Sequence, residues 1–247
     1  MFTSKQQLTV GMGVDPEIAA FFVDRKVPQD NSYWKGRLLY VARGTGYLFI
    51  PLYYDLKLKL GLDKSILLGE AYVGLMEKIL HEAARQELGE LGFQEHIRNI
   101  EAFVRPQVVN HDLFGRLHDY FQQQSREPLG NIGTDKPALN RGDALLYQLC
   151  VLPEGSPYEE VIRQWCHLVP SFLLMDDLMD MKEDQENNEE NALSQYGFDA
   201  NGVKAAIRDL EGNFQAIGEL NPALSEFFKR ELERKMASPY FQTLLNP

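Results

Sequence analysis

The chain has 247 residues, 44% of them apolar and 11% aromatic, with a formal net charge of −11. That length and composition suit a soluble globular protein with a sizeable core. The acidic balance argues against nonspecific binding to nucleic acid or to an anionic membrane surface, both of which select for Lys and Arg. It leaves room for a phosphorylated substrate, because a bound metal ion can reverse the sign of a site locally.

No window approaches a run of apolar residues long enough to span a membrane, and the N-terminus has no continuous apolar stretch followed by a small-residue cleavage site. A cytoplasmic protein without a signal peptide is expected. Cys150 and Cys166 lie in apolar surroundings without C-x-x-C spacing and read as reduced core residues.

Residues 1–13, with Gly11 and Gly13, read as a loose arm. Asp15-Pro16-Glu17 then has the form of a helix start, with Asp as N-cap and Pro at the first helical position, and a short helix is expected to about Lys26. Asn31 or Ser32 caps a second helix through Tyr54, bent between Gly46 and Pro51. Arg43-Gly44-Thr45-Gly46 lacks the spacing of a phosphate loop, so its glycines are read as structural.

A third helix is expected from near Asp63 to Gly89 or Gly92, and a fourth from Gln94 to Phe103, ended by Pro106. A fifth covers Val108 to Gln124 with Leu113, Phe114, Leu117 and Phe121 at core spacing. Ser125–Asn140 is a long loop rich in Gly, Pro, Asn and Asp, of the kind that forms lids or moves. Gly142–Val151 reads as helical. A long helix follows from Tyr158 to about Glu183, with Pro170 kinking it. Asp199–Leu220 and Pro222–Lys235 are two amphipathic helices. With no alternating strand pattern, no repeat and no linker, the economical reading is one all-α domain over residues 1–247, a helical bundle.

The long helix carries the chemistry. Asp176, Asp177, Asp180 and Asp184 form the pattern D-D-x-x-D-x-x-x-D inside a run that includes Phe172, Leu173, Leu174, Met175, Leu178 and Met179. At helical spacing the four carboxylates fall on one stripe and repel one another, and each like-charged pair costs about a few tenths of a kcal/mol. Carboxylates set in so apolar a segment are expected to face a cavity or a partner. Mg²⁺ prefers carboxylate oxygen and completes its shell with water and substrate phosphate, so the stripe is a candidate diphosphate–metal site. A solvated acidic face is the competing reading, and Glu183, Glu186, Glu189 and Glu190 have that character.

This segment resembles the second aspartate-rich motif of the trans-prenyltransferases, in the class I isoprenoid synthase superfamily. The resemblance rests on Asp176, Asp177, Asp180 and Asp184 and on the flank Ser171-Phe172-Leu173-Leu174-Met175. It implies an all-α bundle of the isoprenoid synthase type. It also implies Mg²⁺ held by these four aspartates, a prenyl diphosphate as substrate, and ionisation led by Asp176, Asp177 and Asp180 towards prenyl transfer or terpene cyclisation. A homodimer is compatible with it.

The first aspartate-rich motif of that family, and the twin arginines that follow it, are absent. Asp55, in Tyr53-Tyr54-Asp55-Leu56-Lys57, or else Glu87 with Glu90, is the nearest substitute for a reduced second metal site. Arg43, Lys57, Lys136, Arg141 and Arg163 are candidate cations for the diphosphate, with Arg141 preferred because it joins the long loop to a helix. Phe49, Tyr53, Trp165 and Phe172 could line a pocket for a carbocation, or simply fill the core. Two other functions fit the sequence. One is a non-catalytic helical binding protein on the same scaffold. The other is an HD-type metal-dependent phosphohydrolase built on His81, His111-Asp112 and an aspartate of the main cluster.

Overall fold

The structure is a computed structural model that describes residues 4–26, 28, 49–123, 127–187 and 190–245. It is mostly helical, with no strand among these residues, so the fold is all-α. Contacts group the chain into two compact units. Of the described residues, 4–23, 49–56, 164–187 and 190–245 form the first, and 24–26, 28, 57–123 and 127–163 the second.

In the first unit residues 4–13, expected within a loose arm, are held by packing. Gln7–Gly11 forms a π-helical turn that buries Leu8 completely, and Met12 is equally buried. Burying each side chain is worth about 1.5–3 kcal/mol, enough to hold a short segment in place. Asn221 anchors the end of this segment by donating from Nδ2 to Met12 O at 2.9 Å. Gly13 follows with φ +67°, and a Cβ there would lie 2.6 Å from Asn221 Oδ1 and 2.9 Å from Ala223 Cβ. Gly13→Ala is therefore expected to destabilise the chain by at least about 1–2 kcal/mol, measured by urea unfolding, from the left-handed backbone alone.

Asp15 caps helix α1 (Pro16–Asp24) as expected, its Oδ1 accepting from Glu17 N and Ile18 N. Phe22 of α1 packs edge-on against Tyr54 of α2 (Phe49–Lys59), with centroids 4.8 Å apart. Residues 29–48 lie outside the described residues, and with them the expected cap at Asn31 or Ser32, Arg43-Gly44-Thr45-Gly46 and most of the expected bend.

Helix α7 (Tyr158–Asn187) runs unbroken through Pro170. Helices α8 (Ala200–Gly218) and α9 (Pro222–Met236) pack on each other, with Phe214 and Phe228 stacked at 5.2 Å and Phe172 of α7 edge-on to Phe228. A further short helix, α10 (Pro239–Leu245), buries Phe241 against this pair, where no helix was expected.

In the second unit the helix expected from Asp63 is divided. Asp63 caps only α3 (Lys64–Leu67), and the chain turns extended at Gly69 before α4 (Glu70–Glu87) begins. Side chains cannot crowd that turn: a Cβ on Gly69 would stand 3.1 Å from Ser65 O and 3.2 Å from Ile66 O. Arg25 binds both carboxylates of α4 that face it, with Nε 2.6 Å from Glu77 Oε1 and Nη1 2.9 Å from Glu70 Oε1. Helices α5 (Phe93–Val104) and α6 (His111–Gln122) follow, the latter capped by Asn110.

Residues Asp143–Val151 form a 3₁₀ segment rather than an α-helix, and every side chain from Asp143 to Cys150 is buried. This segment packs on α4, α5 and α6 and fills the middle of the unit. The loop before it is tied down rather than lid-like. Asn140 Oδ1 accepts from Thr134 N at 2.9 Å, and Asn131 and Arg116 both reach Glu159 at 2.6 Å.

Candidate functional site

Asp176, Asp177, Asp180 and Asp184 all lie on α7 in the first unit. An α-helix turns about 100° per residue, which places Asp176 and Asp180 about 40° apart and Asp177 and Asp184 about 20° apart. The stripe divides along those lines, and each half has its own partner.

Asp177 and Asp184 meet Asn191. Asp177 is buried, and its Oδ2 accepts from Ala192 N at 2.8 Å. Asn191, only 3% exposed, donates from Nδ2 to Asp177 O and to Asp184 Oδ2, each at 2.7 Å. Its Oδ1 accepts from Leu193 N and caps the 3₁₀ turn Ala192–Gln195. These two carboxylates thus fix the chain that leaves α7. Asp177, expected as a catalytic metal ligand, thus has one carboxylate oxygen engaged with a buried backbone amide.

Asp176 and Asp180 meet Lys235 near the end of α9. Lys235 Nζ donates to Met175 O at 2.8 Å. Burial pushes the ammonium down to about 8, while the charges of Asp176, Glu231 and Asp180 pull it back up. The Asp180 carboxyl is held above its ordinary range by partial desolvation and then by Asp176, Asp184 and Glu183, with Lys235 opposing them. Asp180 is solvent-exposed, so these interactions are screened and do not translate into stability. They do show which groups share a field.

Among the described residues, no three His, Cys, Asp or Glu side chains converge in a way that could hold a metal ion. Mg²⁺ commonly takes only one or two protein carboxylates and leaves its other positions to water and phosphate. Asp176 and Asp180 fit that limited demand, and Asp177 and Asp184 each place an oxygen on Ala192 N or Asn191 Nδ2.

The remaining predicted residues have other surroundings. Asp55, in the first unit, is fully buried; its Oδ1 accepts from Asp15 N at 2.8 Å and its Oδ2 from Asn221 Nδ2 at 3.3 Å. Asp55, expected as a metal ligand, is thus an acceptor within the N-terminal anchor. Lys57, in the second unit, is fully buried rather than facing a substrate. Its Nζ donates to Tyr72 Oη at 3.1 Å and Gln148 Oε1 at 3.0 Å, and burial lowers its proton affinity well below the ordinary lysine range.

Arg163 Nε pairs with Glu160 Oε2 at 2.8 Å, one helical turn away. Arg141 is exposed between two 3₁₀ segments, and Lys136 pairs with Asp135. Glu87 is exposed, and Glu90 lies 3.6 Å from Arg85. His111 and Asp112 are exposed on the first turn of α6, and His81 is on α4, so the hydrolase reading finds no converging ligand set among the described residues.

The expected aromatic wall is packed on itself. Trp165, fully buried, stands edge-on to Tyr53 at 4.8 Å and to Phe49 at 5.6 Å. Cys150 and Cys166 are not joined in a disulfide, and burial pushes the Cys150 thiol up to about 12. Asn191 and Lys235 escaped the sequence reading. Asn191 sits in the acidic tail of the motif, and Lys235 is one of many lysines at a helix end.

Comparison with known proteins gave no match: no family model fits the chain, and no curated protein and no solved structure matches it.

Proposed function

We propose that this chain is a class I isoprenoid synthase-like protein that binds a prenyl diphosphate through Mg²⁺ at the Asp176–Asp180 half of α7. The observation that carries this reading is the charge arrangement there. Two carboxylates of a D-D-x-x-D-x-x-x-D motif share one field, and the half-buried Lys235 ammonium opposes their repulsion. A bound Mg²⁺ would supply charge neutralisation for the diphosphate and for its departure. Asp176 and Asp180 would hold that ion, and Asn191 keeps the end of the motif in register through Asp184. Lys235, held by Met175 O, adds a positive charge on the same side.

The packed aromatics favour a second reading, a non-catalytic protein on the same scaffold that binds the diphosphate without ionising it. Replacing Asp176 and Asp180 together by alanine tests the binding common to both. The double variant is expected to keep its helical content and to lose all Mg²⁺-dependent diphosphate binding. Binding equal to that of the unaltered chain would overturn the assignment. Product formation from a prenyl diphosphate would separate the synthase from the inert binder.

A further inference from the structure

In the second unit, α5 and α6 leave a groove of about 430 Å³ lined by Gln94, Arg98, Glu101, Arg105, His118 and Gln122. Two guanidinium groups and an imidazole against one carboxylate make its lining positive, in a chain whose net charge is −11. That contrast calls for an explanation, because unneutralised cations close together repel one another.

The carboxylate is already committed. Glu101 is buried at the floor of the groove, and its Oε1 accepts from Tyr147 Oη at 2.7 Å and pairs with His118 Nδ1 at 2.8 Å. A carboxylate can only accept here, so Nδ1 carries a proton and Nε2 is the ring nitrogen left for another partner. The His118 side chain is 43% exposed, which keeps it accessible.

Arg105 is positioned as well. Its guanidinium lies over the Phe114 ring at 4.9 Å, with Nη2 3.7 Å from Glu101 Oε2. Arg98 is exposed and has no hydrogen-bond or ion-pair partner among the described residues. The groove therefore presents one uncommitted guanidinium, one partly committed guanidinium and one oriented imidazole.

We propose that this groove binds a phosphoryl group, as free phosphate or a phosphate monoester, through Arg98, Arg105 and His118. A phosphoryl group has oxygens for both guanidinium forks and, when it carries a proton, a P–OH that donates to the His118 Nε2 lone pair. A carboxylate ligand has two oxygens and would leave one of the three unmet. The site is separate from the aspartates of α7 and needs no metal.

The test is calorimetric titration of the full chain with inorganic phosphate, phenyl phosphate and acetate in the presence of EDTA, so that Mg²⁺-dependent binding cannot contribute. Imidazole nitrogen NMR is recorded alongside. Saturable one-to-one binding is expected, with the His118 Nε2 resonance moving as the site fills and acetate at least about tenfold weaker than phosphate. Tighter binding of phenyl phosphate would identify a monoester as the ligand, and tighter binding of phosphate the free ion. Arg98→Gln removes no hydrogen bond or ion pair among the described residues, so it is expected to fold normally and to weaken binding by about tenfold. Three results would overturn the proposal: no saturable binding, acetate binding as well as phosphate, or Arg98→Gln titrating like the unaltered chain.

Discussion

Asn221→Ala is expected to lower stability by about 3 kcal/mol and the melting temperature by roughly 10 °C. Asn221 is 2% exposed and serves three segments at once. Its Oδ1 caps α9 by accepting from Leu224 N at 3.1 Å, while its Nδ2 donates to Met12 O at 2.9 Å and lies 3.3 Å from Asp55 Oδ2. Losing the cap costs about 1 kcal/mol, and leaving a buried carbonyl and a buried carboxylate short of a donor costs about 1–3 kcal/mol more.

Asn221→Asp separates the two contributions. It keeps the capping oxygen but replaces the donor with a second carboxylate oxygen facing Asp55, so it should be no more stable than the alanine variant at neutral pH. Urea unfolding of both variants checks this. Stability within about 0.5 kcal/mol of the unaltered chain for Asn221→Ala would contradict the anchor.

His96 is expected to make the second unit sensitive to mild acid. The imidazole is 4% exposed on α5, neither ring nitrogen has a hydrogen-bond partner among the described residues, and Phe93 stands edge-on to it at 6.0 Å. Burial pushes its proton affinity down to about 4, with the nearby Glu82 charge opposing. The unfolded chain titrates near 6.5, so between pH 6.5 and 4 it binds a proton that the folded chain refuses. Stability is therefore full above about 6.5 and falls as the pH drops to 4, by about 3 kcal/mol from this group.

Other carboxylates also respond to acid, so the informative quantity is a difference. His96→Leu should flatten the unfolding free energy between pH 4 and 6.5 relative to the unaltered chain, and should be at least as stable at pH 7. Parallel pH profiles for the two proteins would show that His96 finds a partner when it is protonated.

Much of the fold was legible because helix starts are local. Asp15, Asp63, Asp199 and Asn221 each cap a helix with an oxygen two or three residues from the amide it accepts, and that spacing is written in the chain. The misreadings came where tertiary contacts decided. Gly11 and Gly13 suggested a loose arm, but the burial of Leu8 and Met12 fixes it, and Gly13 is there for close approach to Asn221. The 3₁₀ path of Asp143–Val151 follows from its complete burial between three helices, which no periodicity announces.

The site was legible as a charge pattern and not as a set of contacts. The helical spacing of Asp176, Asp177, Asp180 and Asp184 was correct. What divides them is a pair of partners, Asn191 and Lys235, one beyond the end of α7 and one on another helix. Lys57 was misjudged for a related reason. It stands one helical turn after the buried Tyr53, on the inward side of α2, where a lysine must find polar company inside the core, and Tyr72 and Gln148 provide it.

The central claim is tested most directly by calorimetric titration of the chain with a non-hydrolysable farnesyl diphosphate analogue, with and without Mg²⁺. Saturable binding that appears only with Mg²⁺, and disappears when Asp176 and Asp180 are both replaced by alanine, is the predicted result. Absence of binding under both conditions, or binding indifferent to Mg²⁺ and to the two aspartates, would contradict it.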